Sequence, residues 1–270
     1  MARLPLSTPV QSLSGRIALV TGAGRGIGRS LAHGLAQAGA VVVGISRSEA
    51  EVSAVADEIG ARGGRAEARR CDVADEEQVA ALMSWLGERF GRLDVLVNNA
   101  ALRMIHVGSP TSYLTTVDEL TIPDWDRMLA VNLRGPFLTC KLALPLLRLA
   151  SRASVINISA GGGADGQPGR APYCVSKFGL EVLTQCVSAE WKADNIAVNS
   201  LAPGVSVLTD ELKNELRRQN PSLRHARPDM MVPALLFLAN ARATDFTGHR
   251  IVAWEWLQSN GLGGWEHWTA

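Results

Sequence analysis

Short apolar runs alternate with longer amphipathic stretches along most of the chain. Arg16–Thr21 (RIALVT), Ala40–Ile45 (AVVVGI), Gly64–Arg69, Leu93–Val97 (LDVLV), Ser154–Ser159 (SVINIS), Asn195–Leu201 (NIAVNSL) and His249–Ala253 read as strands. Helical patterning predicts Gly26–Ala38, Glu49–Arg62, Asp75–Phe90, Asp124–Ala150, Tyr173–Ala193, Asp210–Gln219 and Asp229–Ala239 between them. The long helix Asp124–Ala150 is expected to bend at Gly135-Pro136. Continuous apolar strands alternating with helices predict a parallel sheet covered on both faces, wound doubly by right-handed crossovers. The expected fold class is therefore α/β: one Rossmann-type domain of about seven strands. It spans residues 14–270 after an N-terminal arm, residues 1–13. Residues 101–123, 161–172 and 205–228 are long connections, and such segments commonly carry function.

Charge changes this picture little. The 27 basic and 26 acidic residues leave a net charge of +1, too weak a field to draw nucleic acid or an anionic membrane. A nucleic-acid reader would show a basic stripe interleaved with aromatic residues, and the chain has none. Four cysteines without CxxC spacing suggest reduced thiols in a cytoplasmic protein and no metal site. No apolar run reaches the roughly 20 residues that span a bilayer, and the opening stretch lacks a signal peptide's apolar segment.

The first predicted strand runs into Thr21-Gly22-Ala23-Gly24-Arg25-Gly26-Ile27-Gly28, and a helix follows. Glycines permit the tight turn and the close approach of backbone to a diphosphate. The helix start then offers free N–H groups and the positive end of its dipole. The end of the second strand should choose the dinucleotide. An acid there would bind the ribose 2′-hydroxyl of NAD(H), but the chain reads Gly44-Ile45-Ser46-Arg47-Ser48. Ser46 and the planar fork of Arg47, with Arg25 from the loop, suit a 2′-phosphate. NADP(H) is thus expected in preference to NAD(H).

Tyr173 and Lys177 are four apart and share one face of a helix. An ammonium beside a phenol is expected to lower its pKa and make it an acid–base catalyst. These motifs, in this order, resemble the short-chain dehydrogenase/reductase family over residues 14–240. Gly22, Gly26 and Gly28 match its TGxxxGxG. Asp72-Val73 looks like the pair that holds adenine, and Asn98-Asn99-Ala100-Ala101 like NNAG with alanine in the last place. Tyr173-Cys174-Val175-Ser176-Lys177 matches YxxxK, and Asn132 the helix asparagine of the active site. Asn199-Ser200-Leu201-Ala202-Pro203-Gly204 matches the segment beside the nicotinamide, which places Pro203, Gly204 and Val205 at the cofactor. The resemblance implies hydride transfer between a nicotinamide and a small carbonyl or alcohol substrate. It also implies that Lys177 holds the ribose, that Asn132 supports a water path for the proton, and that the protein is a homodimer or homotetramer.

One position departs from the pattern. The family's serine, which donates to the reacting oxygen, would stand 13 residues before the tyrosine, where this chain has Ala160. Removing such a donor costs on the order of 100- to 1000-fold in rate. Ser159 is one substitute, although a regular strand would point it to the opposite face; Asp165, Ser109 or Ser112 are others. A reductase of C=C or C=N bonds needs the donor less, and a nucleotide-binding sensor or scaffold with weak catalysis does not need it. Thr209 is displaced from the family's threonine position. Trp254, Trp256, Trp265 and Trp268 crowd the C-terminus, either as packing or as a tail that closes the substrate pocket. His106 either lines the pocket or is structural.

Overall fold

The computed structural model describes residues 12–107, 114–160, 166–209 and 224–270. Seven parallel strands form one sheet in the order β3-β2-β1-β4-β5-β6-β7. They are β1 (Ile17–Thr21), β2 (Val41–Ser46), β3 (Arg65–Arg70), β4 (Val95–Asn98), β5 (Ala153–Ile158), β6 (Ile196–Ala202) and β7 (Arg250–Val252). Each lies within two residues of its expected position. The central strands β1, β4, β5 and β6 are buried along their whole length, as sheets covered on both faces require. The edge strand β3 alternates charged and small residues and is partly exposed.

Two helical layers cover the sheet. On one face, α1 (Gly26–Gln37) and α2 (Glu49–Ala61) join α7 (Val232–Ala239) and α8 (Ala253–Ser259) around Leu31, Leu35, Ile59, Leu235 and Leu257. On the other, α3 (Glu76–Phe90), α4 (Ile122–Leu129), α5 (Gly135–Arg148) and α6 (Ala171–Trp191) enclose Leu82, Leu86, Met128, Leu147 and Trp191. The four tryptophans at the C-terminus pack against the first cluster, with Trp254 and Trp265 at 4.5 Å between ring centroids; none lines the pocket described below. Trp265 lies in a last short helix, α9 (Trp265–Trp268).

The long helix expected over Asp124–Ala150 is three pieces. A π-turn, Ala130–Arg134, separates α4 from α5, so the irregularity precedes Gly135-Pro136 and centres on Asn132. Such π-insertions are frequent at functional sites. The expected helix Asp210–Gln219 and the candidates Ser109, Ser112 and Asp165 lie outside the described residues. Among the described residues, no helix is long and apolar enough to cross a membrane, and no group of side chains could hold a metal ion.

Candidate active site

The strand order reverses at β1: the chain passes through β2 and β3 on one side, then crosses to β4 on the other. Doubly wound sheets open a crevice at that point, at the carboxyl ends of the strands. A cavity of about 640 Å³ lies there. It brings together Gly22, Gly24, Arg25, Gly26, Ile27, Gly28, Ser46, Arg47, Asp72, Val73, Asn99, Ala100, Ser159, Tyr173, Lys177 and Pro203. Three expected residues, Asn132, Gly204 and Val205, are not in its lining.

One end is a cradle. Helix α1 begins at Gly26 with no side-chain cap and no acid in its first turn, so its first N–H groups are left for a ligand. Gly28 has no room for a side chain: a Cβ would stand 2.0 Å from the Gly22 carbonyl oxygen. Asn99 braces this turn, donating from Nδ2 to the carbonyls of Thr21 (2.9 Å) and Gly22 (3.1 Å). The Thr21 hydroxyl accepts from the Asn99 and Ala100 N–H groups, both at 2.9 Å. Thr209, whose role the displaced position left open, packs its methyl over Gly26 and holds a buried, partnerless hydroxyl in the cavity wall. Open amides, glycines without space for Cβ and an orphaned hydroxyl together fit a dinucleotide diphosphate.

Past the cradle, Arg47 is exposed at the end of β2. Ser46 is less free than expected, since its hydroxyl donates to the Ser48 carbonyl at 2.8 Å and accepts from the Ser48 N–H. Glu51 from α2 also lines this end and lies 3.9 Å from the Arg25 guanidinium. Sequence reading missed Glu51, because nothing in the glycine motif signals a carboxylate brought from the next helix.

The opposite end holds Tyr173 and Lys177. The ammonium is buried, donates to the Ile158 carbonyl at 2.8 Å and lies 6.0 Å from the centroid of the Tyr173 ring. Burial lowers the Lys177 pKa to about 8, helped by Arg103 and opposed by Glu181. The Tyr173 phenol is raised by burial, against the expectation that Lys177 would bring it down; the cations that oppose the rise are Arg103 and Arg170. Ser159 does reach the cavity wall, because β5 ends at Ile158. Its buried hydroxyl has no hydrogen-bond partner.

Asn132 stands behind the wall. Its Oδ1 accepts from Leu102 N–H (2.7 Å), and its Nδ2 donates to Leu102 C=O (3.0 Å) and to Ser176 Oγ (3.1 Å). It pins the segment after β4 to α6. Gly204 adopts φ 81° and packs against Val252 and Trp254, where a Cβ would meet Val252 at 2.3 Å. Val205 joins the core. His106 accepts from Arg103 N–H at 2.8 Å and also lines the cavity, so both readings of it hold. Arg103 itself was not anticipated.

A doubly wound sheet with a phosphate cradle and a tyrosine–lysine pair in one crevice defines a nucleotide-dependent oxidoreductase class. Comparison with known proteins narrows it. A family model described as short chain dehydrogenase matches residues 16–220. The chain is 36% identical over 241 residues to a 3-oxoacyl-(acyl-carrier-protein) reductase of Staphylococcus aureus, covering 87% of this chain and 94% of that one. It is 32% identical over 248 residues to D-threitol dehydrogenase of Mycolicibacterium smegmatis, covering 89% and 92%. A crystal structure from Beutenbergia cavernae, provisionally assigned as an NAD(P)-dependent gluconate 5-dehydrogenase with NADP bound at low occupancy, superimposes with a TM-score of 0.80 at 33% identity. It covers 91% of this chain and 97% of that one. The chain belongs to the short-chain dehydrogenase/reductase family and is an NAD(P)-dependent oxidoreductase.

Proposed function

We propose that this protein is an NADP(H)-dependent oxidoreductase acting on a carbonyl/alcohol pair, with Tyr173 as the proton donor and acceptor. The observation that carries this reading is a single crevice joining an uncapped helix start to Tyr173 and Lys177. The bound nicotinamide would supply or accept the hydride. Gly22, Gly24, Arg25, Gly26, Ile27 and Gly28 would hold the diphosphate, and Asp72, Val73, Asn99 and Ala100 the adenosine side. Lys177 would grip a ribose, and Asn132 positions the Leu102 segment that walls the site. Ser159 would donate to the reacting oxygen in place of the serine missing at Ala160, which its partnerless hydroxyl in the wall supports. Exposed Phe137, Val175, Phe178 and Val182 on α5 and α6 support a homo-oligomer.

The direction of the Tyr173 shift has a consequence. A phenol raised by burial stays protonated at neutral pH, which suits proton donation to a carbonyl oxygen. Carbonyl reduction is therefore expected to hold its rate through neutral pH and fall only on the alkaline side. Alcohol oxidation, which needs the phenolate, should rise with pH over the same range. Steady-state kcat profiles in both directions check this, and an oxidation rate that falls with pH would contradict it.

The cofactor choice is tested at Arg47. Arg47→Ala should weaken NADPH binding by roughly 10- to 100-fold, the loss typical of a hydrogen bond to a charged group. NADH binding should be almost unchanged. Fluorescence titration of both reduced coenzymes reads the ratio. Equal weakening of the two would mean that Arg47 does not meet a 2′-phosphate.

A further inference from the structure

Arg103 stands out among the cavity-lining residues. It is half-buried, and among the described residues its guanidinium has neither an ion-pair partner nor a hydrogen-bond acceptor. Its backbone is held firmly. Leu102 before it is tied in both directions to Asn132, its own N–H donates to His106 Nδ1, and its flanking residues Leu102 and Met104 are buried in the core. The side chain is thus presented to the cavity from a fixed base. A partly buried cation without a partner is costly unless an anion completes it.

The charge map of the cavity says where that anion would sit. Leu102, next to Arg103, is tied through Asn132 to Ser176, between Tyr173 and Lys177 on α6, and Arg103, Tyr173 and Lys177 all line one cavity, so Arg103 stands at the catalytic end. In keeping with this, it is the strongest charged neighbour of both Tyr173 and Lys177. The diphosphate cradle has its own donors at the start of α1. The carboxylates among the described lining residues are Glu51 and Asp72, in the first turn of α2 and after β3, at the end of the cavity opposite Tyr173. Glu181, which also acts on Lys177, is already engaged by Arg250 and Ser200. Among the described residues, the lining of the catalytic end therefore carries two cations, Lys177 and Arg103, and no acid, and Arg170 adds a further positive charge behind it. The Lys177 ammonium gives one donor to the Ile158 carbonyl and its others would go to the ribose, which leaves Arg103 as the lining cation open to a substrate.

We infer that Arg103 is a substrate-recognition residue that binds a carboxylate on the substrate, making the preferred substrates keto acids or hydroxy acids rather than neutral ketones or alcohols. A planar guanidinium matches a carboxylate with two parallel hydrogen bonds. This pairing would fix the carbonyl carbon at one distance from Tyr173, so chain length between the two groups should matter as well as charge.

The inference rests on the oxidoreductase reading above, and the experiment separates the two. Wild-type enzyme, Arg103→Ala and Arg103→Lys are assayed with NADPH against acetoacetate and 4-oxopentanoate, each beside its methyl ester. Binding of the two acids and the two esters to the NADP-loaded enzyme is measured by calorimetry, which needs no turnover. Wild type should favour at least one acid over its ester. Arg103→Ala should lower kcat/KM for that acid by about 10- to 100-fold, mostly through KM. The NADPH affinity should stay put, the ester rates should change far less than the acid rate because only the charge near Tyr173 is altered there, and Arg103→Lys should recover part of the loss.

Equal treatment of acid and ester, including failure to bind either, overturns the inference. So does a drop in NADPH affinity, which would give Arg103 to the coenzyme. An equal fall in kcat on acid and ester that is rescued by a second change, Ala160→Ser, would also overturn it, since Arg103 would then be polarising the reacting oxygen. The oxidoreductase reading is judged separately, by NADPH binding and by reduction of any ketone in the set.

Discussion

Tyr173→Phe should retain the fold and the affinity for NADPH while losing about 100- to 10,000-fold in kcat, the range removed with a general acid–base group. Only the phenolic oxygen is deleted. The ring remains packed against the core on the α6 side, so stability should change little. Because Lys177 is anchored to the Ile158 carbonyl rather than to the phenol, the variant leaves that contact intact. NADPH titration beside single-turnover reduction of a ketone separates binding from chemistry. A variant that turns over at the wild-type rate would mean that the proton comes from elsewhere, and the protein would then be closer to the sensor that the missing serine first suggested.

Gly28→Ala should act at the other end of the cavity and on binding. Its Cβ would lie 2.0 Å from the Gly22 carbonyl oxygen and 2.5 Å from Asn99 Nδ2. Neither neighbour can step aside easily, since Gly22 opens the turn directly after β1 with its carbonyl bonded by Asn99, and Asn99 is held by two carbonyls. Overpacking of this kind costs about 1–3 kcal/mol, or roughly 3–10 °C in Tm for a chain of this size. The displaced cradle should weaken NADPH by about 10- to 100-fold, the loss of one hydrogen bond to a charged group. Gly60→Ala, where nothing lies within 4 Å of the added Cβ, serves as a control within α2 and should be neutral or slightly stabilising. Wild-type affinity in Gly28→Ala would show that the diphosphate does not rest on this turn.

Much of this molecule is legible before folding because its signals are local. The strands β1, β2, β4, β5 and β6 announce themselves as largely apolar runs, since a strand buried on both faces has no solvent side to favour polar residues. The glycine turn is equally local: strand, glycines and helix follow one another directly, and so do Tyr173 and Lys177 along one helix face.

What the chain alone leaves open depends on groups far apart in sequence. Asn132 looks like a site residue, and only the structure shows that its amide, in the π-turn between α4 and α5, bonds Leu102 and Ser176. Lys177 was expected to act on Tyr173, yet its ammonium donates to the end of β5, and the cations that act on the phenol are Arg103 and Arg170. Gly204 reads as a cofactor residue from its motif, and only the structure shows why the position has no side chain: Val252 and Trp254 occupy the space where a Cβ would stand. Sequence order thus determined the sheet, the phosphate turn and the tyrosine–lysine pair, because each is set by neighbours along the chain. Which charges face one another inside the crevice was decided by tertiary packing, because electrostatic interaction depends on distance in space and on burial, and neither is written in the spacing of residues.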